Sequence, residues 1–152
     1  MDIRIYGTGF IASRVIYRGV LGSAAGMDKV IMKRLFRHAG LQTAPFVHFS
    51  ARQWRGGRRG CVDAIGQEIG FPCFVKPANL GSSVGITKVR RPDDLPDAMN
   101  VAFEHDLKAI VEKSIEDAHE IECSILGNER PQASLIGEII PSDEFYSYNA
   151  KY

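Results

Sequence analysis

The sequence has few of the features that mark membrane, secreted or metal-framework proteins. It contains no apolar run long enough to cross a bilayer, and its N-terminus lacks the basic, apolar and small-residue order of a signal peptide. Cys61, Cys73 and Cys123 lie far apart and form no CxxC motif, which argues against a zinc or disulfide framework. We therefore expect a cytoplasmic protein with free thiols.

The sequence also lacks an excess of one charge. Among 152 residues it has 19 lysines and arginines against 18 aspartates and glutamates. A general nucleic-acid or membrane-surface role usually needs a clear basic excess, so we expect neither. Its 45% hydrophobic content is typical of a soluble protein with a real core, and the length suits one domain or two small lobes.

Apolar periodicity and turn-forming residues predict an alternation of helices and strands. The predicted helices lie between Asp28 and Gly40, around Val62 to Ile69, and over Asp93 to Phe103. The predicted strands are Phe46 to Phe49, Phe71 to Lys76, Val84 to Val89, Ala109 to Lys113, Glu120 to Leu126 and Ser134 to Ile140. The connection over 77–83 is too short for a parallel crossover. We therefore predict an α+β fold with an antiparallel sheet and helices on one face.

The first residues fit no clear pattern. Ile3 to Tyr6 could form a short strand, and Gly7 to Ala12 is similar to the turn of a dinucleotide-binding fold. That fold also needs a third glycine, a following helix and a second strand ending in an acid, and none follows in register. We expect a loop or a foreign leader here.

A lysine and a glycine-rich loop are the strongest local signals of chemistry. Lys76 ends an apolar strand, and residues 81–85, Gly-Ser-Ser-Val-Gly, follow five positions later. A lysine is a compact cation suited to phosphate, while glycines and serines bring N–H and hydroxyl donors close to an anion. The alternatives are an exposed surface lysine and a plain polar turn, and the loop is not a Walker A motif.

Carboxylates follow the next predicted strand. Glu112 and Lys113 end the strand, and Glu120 opens another after a short loop. A carboxylate near a nucleotide can accept hydrogen bonds from an adenine amino group or from ribose hydroxyls. Pairing between exposed charges is the alternative, and it contributes little free energy.

Two further segments allow two interpretations each. The aromatic tail over 146–152 fits a lid that closes on a site or a disordered terminus. Four arginines surround Trp54 and fit either a nucleic-acid contact or a solvated loop between strand and helix. The balanced net charge favours the solvated loop. These arginines are Arg52, Arg55, Arg58 and Arg59.

Several of these segments occur in an order that resembles D-alanine–D-alanine ligases, from about Gly19 to the last residue. The segments are Met27-Asp28-Lys29, Phe74 to Gly85, Val111-Glu112-Lys113, Glu120 to Cys123, Gly137 to Pro141 and Phe145 to Tyr152. Several long motifs in register are far more specific than any one of them alone.

The resemblance implies the ATP-grasp fold, in which a nucleotide lies between two α+β lobes. It implies an unplaced leader at 1–18, a small lobe at 19–116, and a truncated second lobe with a lid segment at 117–152. Such enzymes use ATP and Mg²⁺ to join two D-alanines through an acyl phosphate for peptidoglycan synthesis, and they are often dimeric. The expected partners are thus D-alanine and ATP, with a homodimeric parent enzyme.

The resemblance also implies roles for individual residues. In the family pattern, Lys29 and Lys76 contact the phosphates, and Ser82 and Ser83 lie in the loop over the terminal phosphates. The adenine contacts fall on Glu112, Lys113 and Ile115, and the ribose contact falls on Glu120. Residues of the reaction centre fall on Ser82, Lys151 and Tyr152. One extra residue before Glu120 weakens that match. Tyr152 is typical of members whose second substrate is D-alanine.

The resemblance places other parts of the family's machinery outside these 152 residues. The magnesium ligands and a transition-state arginine would follow Tyr152, and the lobe that holds the first D-alanine would precede the chain. We therefore expect the fragment alone to be inactive. The alternatives are another ATP-grasp carboxylate–amine ligase, a non-catalytic nucleotide-binding module, and nucleic-acid binding through the arginines.

Overall fold

The computed structural model describes the backbone of residues 2–5 and all of residues 20–127 and 129–140. The helices are α1 (Val20–Met27), α2 (Lys29–His38), α3 (Ala51–Glu68) and α4 (Leu95–His105), with a 3-10 turn at Pro92–Asp94 before α4. The strands are β1 (Asp2–Ile5), β2 (Phe46–Ser50), β3 (Cys73–Pro77), β4 (Thr87–Val89), β5 (Lys108–Lys113), β6 (Glu120–Glu122), β7 (Ile125–Leu126), β8 (Gln132–Ala133) and β9 (Gly137–Ile140). Gly7 to Ala12 lie outside the described residues.

The chain divides into two compact units, and the first of them, Val20–Glu116, is built on a four-stranded sheet. The strand order is β2-β5-β3-β4, and every neighbouring pair is antiparallel. The predicted antiparallel α+β fold is confirmed, and the short connection after β3 returns the chain beside it as β4.

The main core lies between one face of this sheet and the helices α3 and α4. Val75 and Val111 project from neighbouring strands into it, and Trp54, Ile65 and Met99 come from the helices. All five side chains are almost wholly inaccessible to solvent. Complete burial of one such side chain contributes about 1.5–3 kcal/mol relative to its exposure. This layer therefore supplies much of the stability that holds the strands in register.

The opposite face of the same sheet is partly covered by α2, so the predicted placement of the helices on one face is wrong. Val30 packs there against Ala78 and Ile110, with Phe46 at the edge of the cluster. Asp28 caps the helix as the sequence predicts, because its carboxylate accepts hydrogen bonds from the backbone N–H groups of Val30 and Ile31. The helix therefore begins beside the end of β3 and runs over the polar side chains of this face.

The helix α3 begins earlier than the sequence predicted, and the expectation of a solvated loop around Trp54 is wrong. Ser50 and Gln53 form a reciprocal capping box, in which the Gln53 N–H donates to the Ser50 hydroxyl at 3.2 Å. Trp54 is then carried into the core, and Gly57 accommodates a kink within the helix. The four arginines remain exposed on the helix surface. Burial of the indole outweighs the local turn signals of the glycines.

The strand β4 is shorter than predicted, because the first residues of the expected strand form a turn. Gly85 has a φ of +70° and packs against Pro77 and His105. A Cβ at this position would lie 2.5 Å from the His105 ring and 2.8 Å from the Pro77 ring. Only glycine fits this close approach without displacing a neighbour, so pairing with β3 begins later, at Thr87.

The second compact unit joins β1 to the residues from Asp117 onward. Its sheet has the order β1-β9-β6 with antiparallel pairs, and β7 and β8 form a separate hairpin. The predicted strand Glu120 to Leu126 is divided into β6 and β7, and the predicted last strand, Ser134 to Ile140, is shortened to β9. Ile139 is buried, whereas the side chains of β6, β7 and β8 are exposed. Within the described ranges, no helix combines the length and the apolar character needed to span a membrane.

Candidate functional site

The alternation of β3 and β5 places a lysine and a glutamate on the face that α2 covers. Glu112 is paired in register with Phe74, and Lys76 is paired with Ile110 on the adjacent row. Because paired residues of neighbouring strands project to the same side, Lys76 and Glu112 meet across the strands. The Lys76 ammonium donates to the Glu112 carboxylate, with 2.7 Å between Nζ and Oε2.

Lys33 reaches the same carboxylate from α2. Its Nζ lies 3.2 Å from Oε1 of Glu112, so each carboxylate oxygen faces one ammonium group. Glu112 is only 6% exposed. Burial opposes ionisation of the carboxyl group, but the charges and hydrogen bonds of Lys76 and Lys33 outweigh it and lower the pKa of Glu112. The carboxylate is therefore held ionised inside the protein.

Lys29 lies one helical turn before Lys33 and turns towards the chain segment that leaves β3. Its Nζ donates to the carbonyl oxygens of Pro77 at 3.0 Å and Leu80 at 2.6 Å, with Ala78 at 3.4 Å. Burial first, and then the nearby positive charge of Lys76, lower the pKa of Lys29. Because Pro77 directly follows Lys76, the contact with the Pro77 carbonyl places the Lys29 ammonium beside the end of β3 that carries Lys76.

The glycine-rich turn begins and ends beside these lysines. Leu80, whose carbonyl accepts from Lys29, directly precedes the turn, and Gly85 closes it against Pro77. Ser82 and Ser83 have successive positive φ values of 52° and 60°. Consecutive residues in such conformations shape backbone concavities that favour anions. The turn is thus placed where its backbone and hydroxyl groups can act together with the lysines.

Two further pairs fix the surroundings, and neither pair had been predicted from the sequence. Lys108 pairs with Asp28, the carboxylate that also caps α2. Asp106 accepts hydrogen bonds from the backbone and side-chain N–H groups of Asn79, at 2.7 and 2.8 Å. These contacts tie α2, β5 and the start of the turn to one another. Asp28 and Asn79 lie in segments that carry the family resemblance, whereas Asp106 and Lys108 had not been singled out.

The remaining predicted site residues are more scattered. Lys113 and Ile115 follow Glu112 in the first unit, and both are exposed, Ile115 at 65%. Glu120 opens β6 in the second unit and is also exposed. Lys151 and Tyr152 lie outside the described residues. The predicted contacts of all these residues with nucleotide or reaction centre therefore stay predictions.

The arrangement in the first unit is suited to binding an anion. Lys33 and Lys76 share one carboxylate, Glu112, and the nearby Lys29 donates to backbone carbonyl oxygens, so the three ammonium groups outnumber the carboxylate that they contact directly. Their ammonium groups are partly shielded from solvent, so their attraction to phosphate is screened less than that of exposed lysines. Two open surface pockets of about 330 and 340 Å³ are lined by other residues and do not belong to this cluster.

A metal ion finds no ready site in this cluster. Across residues 2–5, 20–127 and 129–140, no group of three or more histidine, cysteine, aspartate or glutamate side chains comes together as metal ligands would. Glu112 itself is occupied by two lysines. Among the described residues, charge neutralisation of a bound anion therefore depends on the lysines.

Comparison with known proteins identifies the family. Residues 35–152 match the family model described as D-ala D-ala ligase C-terminus. The chain belongs to the D-alanine–D-alanine ligase family. It is 53% identical over 134 residues to the D-alanine–D-alanine ligase of Geobacillus thermodenitrificans, covering 88% of this chain and 36% of that protein. It is 54% identical over 136 residues to the enzyme of a Thermoanaerobacter species, with the same coverage of both chains.

Solved structures agree with this membership and with the ATP-grasp fold. The VanG D-Ala:D-Ser ligase from Enterococcus faecalis superposes with a TM-score of 0.75 at 35% identity, over 87% of this chain and 37% of that one. The D-alanine–D-alanine ligase from Coxiella burnetii gives a TM-score of 0.72 at 34% identity, over 80% of this chain and 35% of that one. The chain thus spans little more than a third of the length of the relatives that it matches.

Proposed function

We propose that the chain is the central, ATP-binding part of a D-alanine–D-alanine ligase that acts in peptidoglycan synthesis in the cytoplasm. The observation that carries the proposal is that the Lys29 ammonium donates to the carbonyl oxygens of Pro77 and Leu80, between Lys76 and the turn over 81–85. Membership of the family supports it, because relatives about half identical over most of this chain carry that name.

In this proposal the lysines bind the phosphates of ATP. Lys76 is held at the edge of the sheet by Glu112, and Lys29 exchanges carbonyl oxygens for phosphate oxygens when the nucleotide binds. Phosphoryl transfer is mainly a matter of positioning and charge neutralisation, so buried ammonium groups lower the barrier most where charge develops. Ser82 and Ser83 donate hydrogen bonds to the terminal phosphates from the turn.

The proposed reaction has two steps. The terminal phosphoryl group of ATP passes to the carboxylate of one D-alanine, which yields an acyl phosphate and ADP. The amine of a second D-alanine then attacks the acyl carbon, phosphate leaves, and a proton is lost from the nitrogen. Lys151 and Tyr152 belong to the proposed lid that excludes water from these steps. Glu112, Lys113, Ile115 and Glu120 are proposed to contact adenine and ribose.

Magnesium and dimerisation are part of the proposal for the parent enzyme. Mg²⁺ would screen the phosphate charges, but no cluster of carboxylates among the described residues fits it, so we assign it no ligand there. The homodimer likewise rests on the family alone.

ATP binding to the 152-residue chain tests the proposal directly. We expect titration calorimetry to show saturable ATP binding, and Lys76→Met to weaken it about tenfold or more, because a charge-assisted contact to phosphate is lost. Arg59→Met, which removes an exposed positive charge on α3, should leave the affinity unchanged. Equal loss in both variants, or no binding by the unaltered chain, would contradict the proposal.

The absence of turnover by this chain alone is a separate expectation. A coupled assay of the purified chain with ATP and D-alanine should show no phosphate release above background. D-Alanine-dependent release of phosphate would show that 152 residues suffice, and the proposed dependence on further segments would be wrong.

A D-alanine–D-serine ligase is the second candidate for the parent enzyme. The structural similarity to the VanG D-Ala:D-Ser ligase supports it, because both activities share the nucleotide-binding part of the fold. A substrate screen of the enzyme encoded by the whole reading frame would separate the two. A higher kcat/KM for D-serine than for D-alanine as the second substrate would favour this candidate.

A further inference from the structure

Lys33 is the one ammonium group of the cluster for which neither a sequence motif nor the proposed function supplies a role. It lies four residues after Lys29 on α2, so the two side chains leave the same face of the helix. Its Nζ is 3.2 Å from Oε1 of Glu112 and 5.7 Å from the centre of the Phe46 ring. The side chain is only 14% exposed. Its position is therefore set by a buried partner and not by solvent.

The consequence of this contact concerns Lys76. Glu112 offers two oxygens, and Lys33 and Lys76 take one each. If Lys76 were the sole partner of the buried carboxylate, the carboxylate would neutralise the charge of Lys76. Movement of Lys76 towards another anion would then leave the carboxylate unpaired. An unpaired buried charge is strongly unfavourable. With Lys33 in place, the carboxylate keeps a cation when Lys76 turns to a phosphate.

We infer that Lys33 is a positioning residue that holds and neutralises Glu112, so that Lys76 is free to bind the phosphates of the nucleotide. The inference rests on the proposed function, and it adds Lys33 to the residues that were expected to act in nucleotide binding. It predicts an effect that depends on phosphate and that passes through Glu112. A residue that merely fastens α2 to the sheet would show neither property.

The first measurement compares ATP with adenosine. Calorimetric titration of the Lys33→Met chain should show ATP affinity reduced about tenfold, because Lys76 is then drawn onto Glu112 and away from the phosphates. Adenosine affinity should fall much less, since adenosine lacks phosphates and would lose only what Glu112 contributes to the adenine contact. Lys33→Arg should restore most of the ATP affinity, and Arg59→Met serves as the charge control. Unchanged ATP affinity in Lys33→Met, or equal losses for ATP and adenosine, would overturn the inference.

A double-mutant cycle tests whether the effect passes through Glu112. In a chain that carries Glu112→Gln, the carboxylate charge is gone, and adding Lys33→Met should change ATP affinity less than twofold. A direct contact between Lys33 and phosphate would produce the same tenfold loss in both backgrounds. That result would overturn the positioning role even if ATP binding itself is confirmed.

A ligand-free measurement separates this inference from the proposed function. Should the unaltered chain bind no ATP, the proposed function fails for this chain, and the carboxyl ¹³C titration of Glu112 decides the inference. Lys33→Met should raise the midpoint of that titration towards that of an ordinary glutamate, because Lys33 helps to lower the pKa of Glu112. A midpoint identical in the two chains would show that Lys33 does not act on Glu112.

Discussion

The two faces of the four-stranded sheet differ sharply, although the same strands build both. On one face Val75 and Val111 enter a core of apolar side chains beneath α3 and α4. On the other face their immediate neighbours, Lys76 and Glu112, form a charged cluster beneath α2. Because side chains alternate along a strand, a residue that packs in the core and a residue that can bind a ligand are direct neighbours in the sequence. Changes on the apolar face should therefore mainly lower the free energy of unfolding. Changes on the charged face should alter ligand affinity and make a smaller, pH-dependent difference to stability.

A change in the apolar layer should have the largest effect on stability. Ile65→Ala removes a completely buried side chain of α3 and leaves a cavity, so we expect the free energy of unfolding to fall by about 3 kcal/mol. Urea denaturation followed by circular dichroism measures it. Leu107→Ala, at a highly exposed position, should change it by less than about 0.5 kcal/mol. Similar losses at both positions would remove the distinction between core and surface.

A change in the charged face should have a smaller effect that depends on pH. Glu112→Gln leaves Lys33 and Lys76 without their shared anion, and we expect a loss of about 2 kcal/mol at pH 7. The folded state lowers the pKa of Glu112 below 4.5, so the carboxylate stabilises the fold above pH 4.5. That contribution disappears as the pH falls through the lowered pKa of the folded state.

Stability measured between pH 7 and pH 2 checks this sign. The difference between the unaltered chain and Glu112→Gln should shrink as the solution becomes more acidic. A difference that is constant across this range would mean that the ionised carboxylate does not contribute to stability.

A change in the turn between β3 and β4 should affect both stability and binding. Gly85→Ala places a Cβ against Pro77 and His105 at a φ of +70°, so we expect a loss of about 1.5 kcal/mol in stability together with weaker ATP binding. Gly56→Ala is the matched control, since a Cβ there meets no atom within 4 Å. Equal behaviour of the two variants in denaturation and titration would argue against a tightly packed turn.

The smallest effect should come from the cap of α3. Ser50→Ala removes the hydroxyl that accepts from the Gln53 N–H, and we expect a loss of about 1 kcal/mol in the free energy of unfolding. ATP affinity should not change, because the cap serves only the helix on the apolar side. Ser50→Asp, which retains an acceptor at the cap, should preserve most of the stability. A loss of ATP affinity in Ser50→Ala would connect the two faces more closely than the structure indicates.

The sequence predicted the order of most helices and strands, because the local signals were strong. Asp28 and Gly40 bracket α2 as expected, and the apolar periodicity around Ile65 marked the second half of α3. The first half of α3 was missed because Trp54 lies among arginines and glycines that locally favour a loop. Its burial depends on residues from α4 and the sheet, which no local pattern contains.

The candidate site was predicted in part. Lys76 and Glu112 were singled out, and their contact follows from strand alternation once the antiparallel register is known. No role was predicted for Lys33, which lies four residues after Lys29 on α2. Its partner lies far away in the sequence, and lone lysines on a helix are usually exposed. Nothing short of the packing of α2 on the sheet could assign it.

The sequence by itself determined the α+β class, the antiparallel connections and the family, because these depend on local periodicity, short turns and long motifs in order. Tertiary structure alone decided which charges meet. A buried carboxylate needs partners wherever the fold brings them, and here the fold brings one lysine from α2 and one from β3 to Glu112. Such pairings depend on distances between elements, which the order of residues does not state.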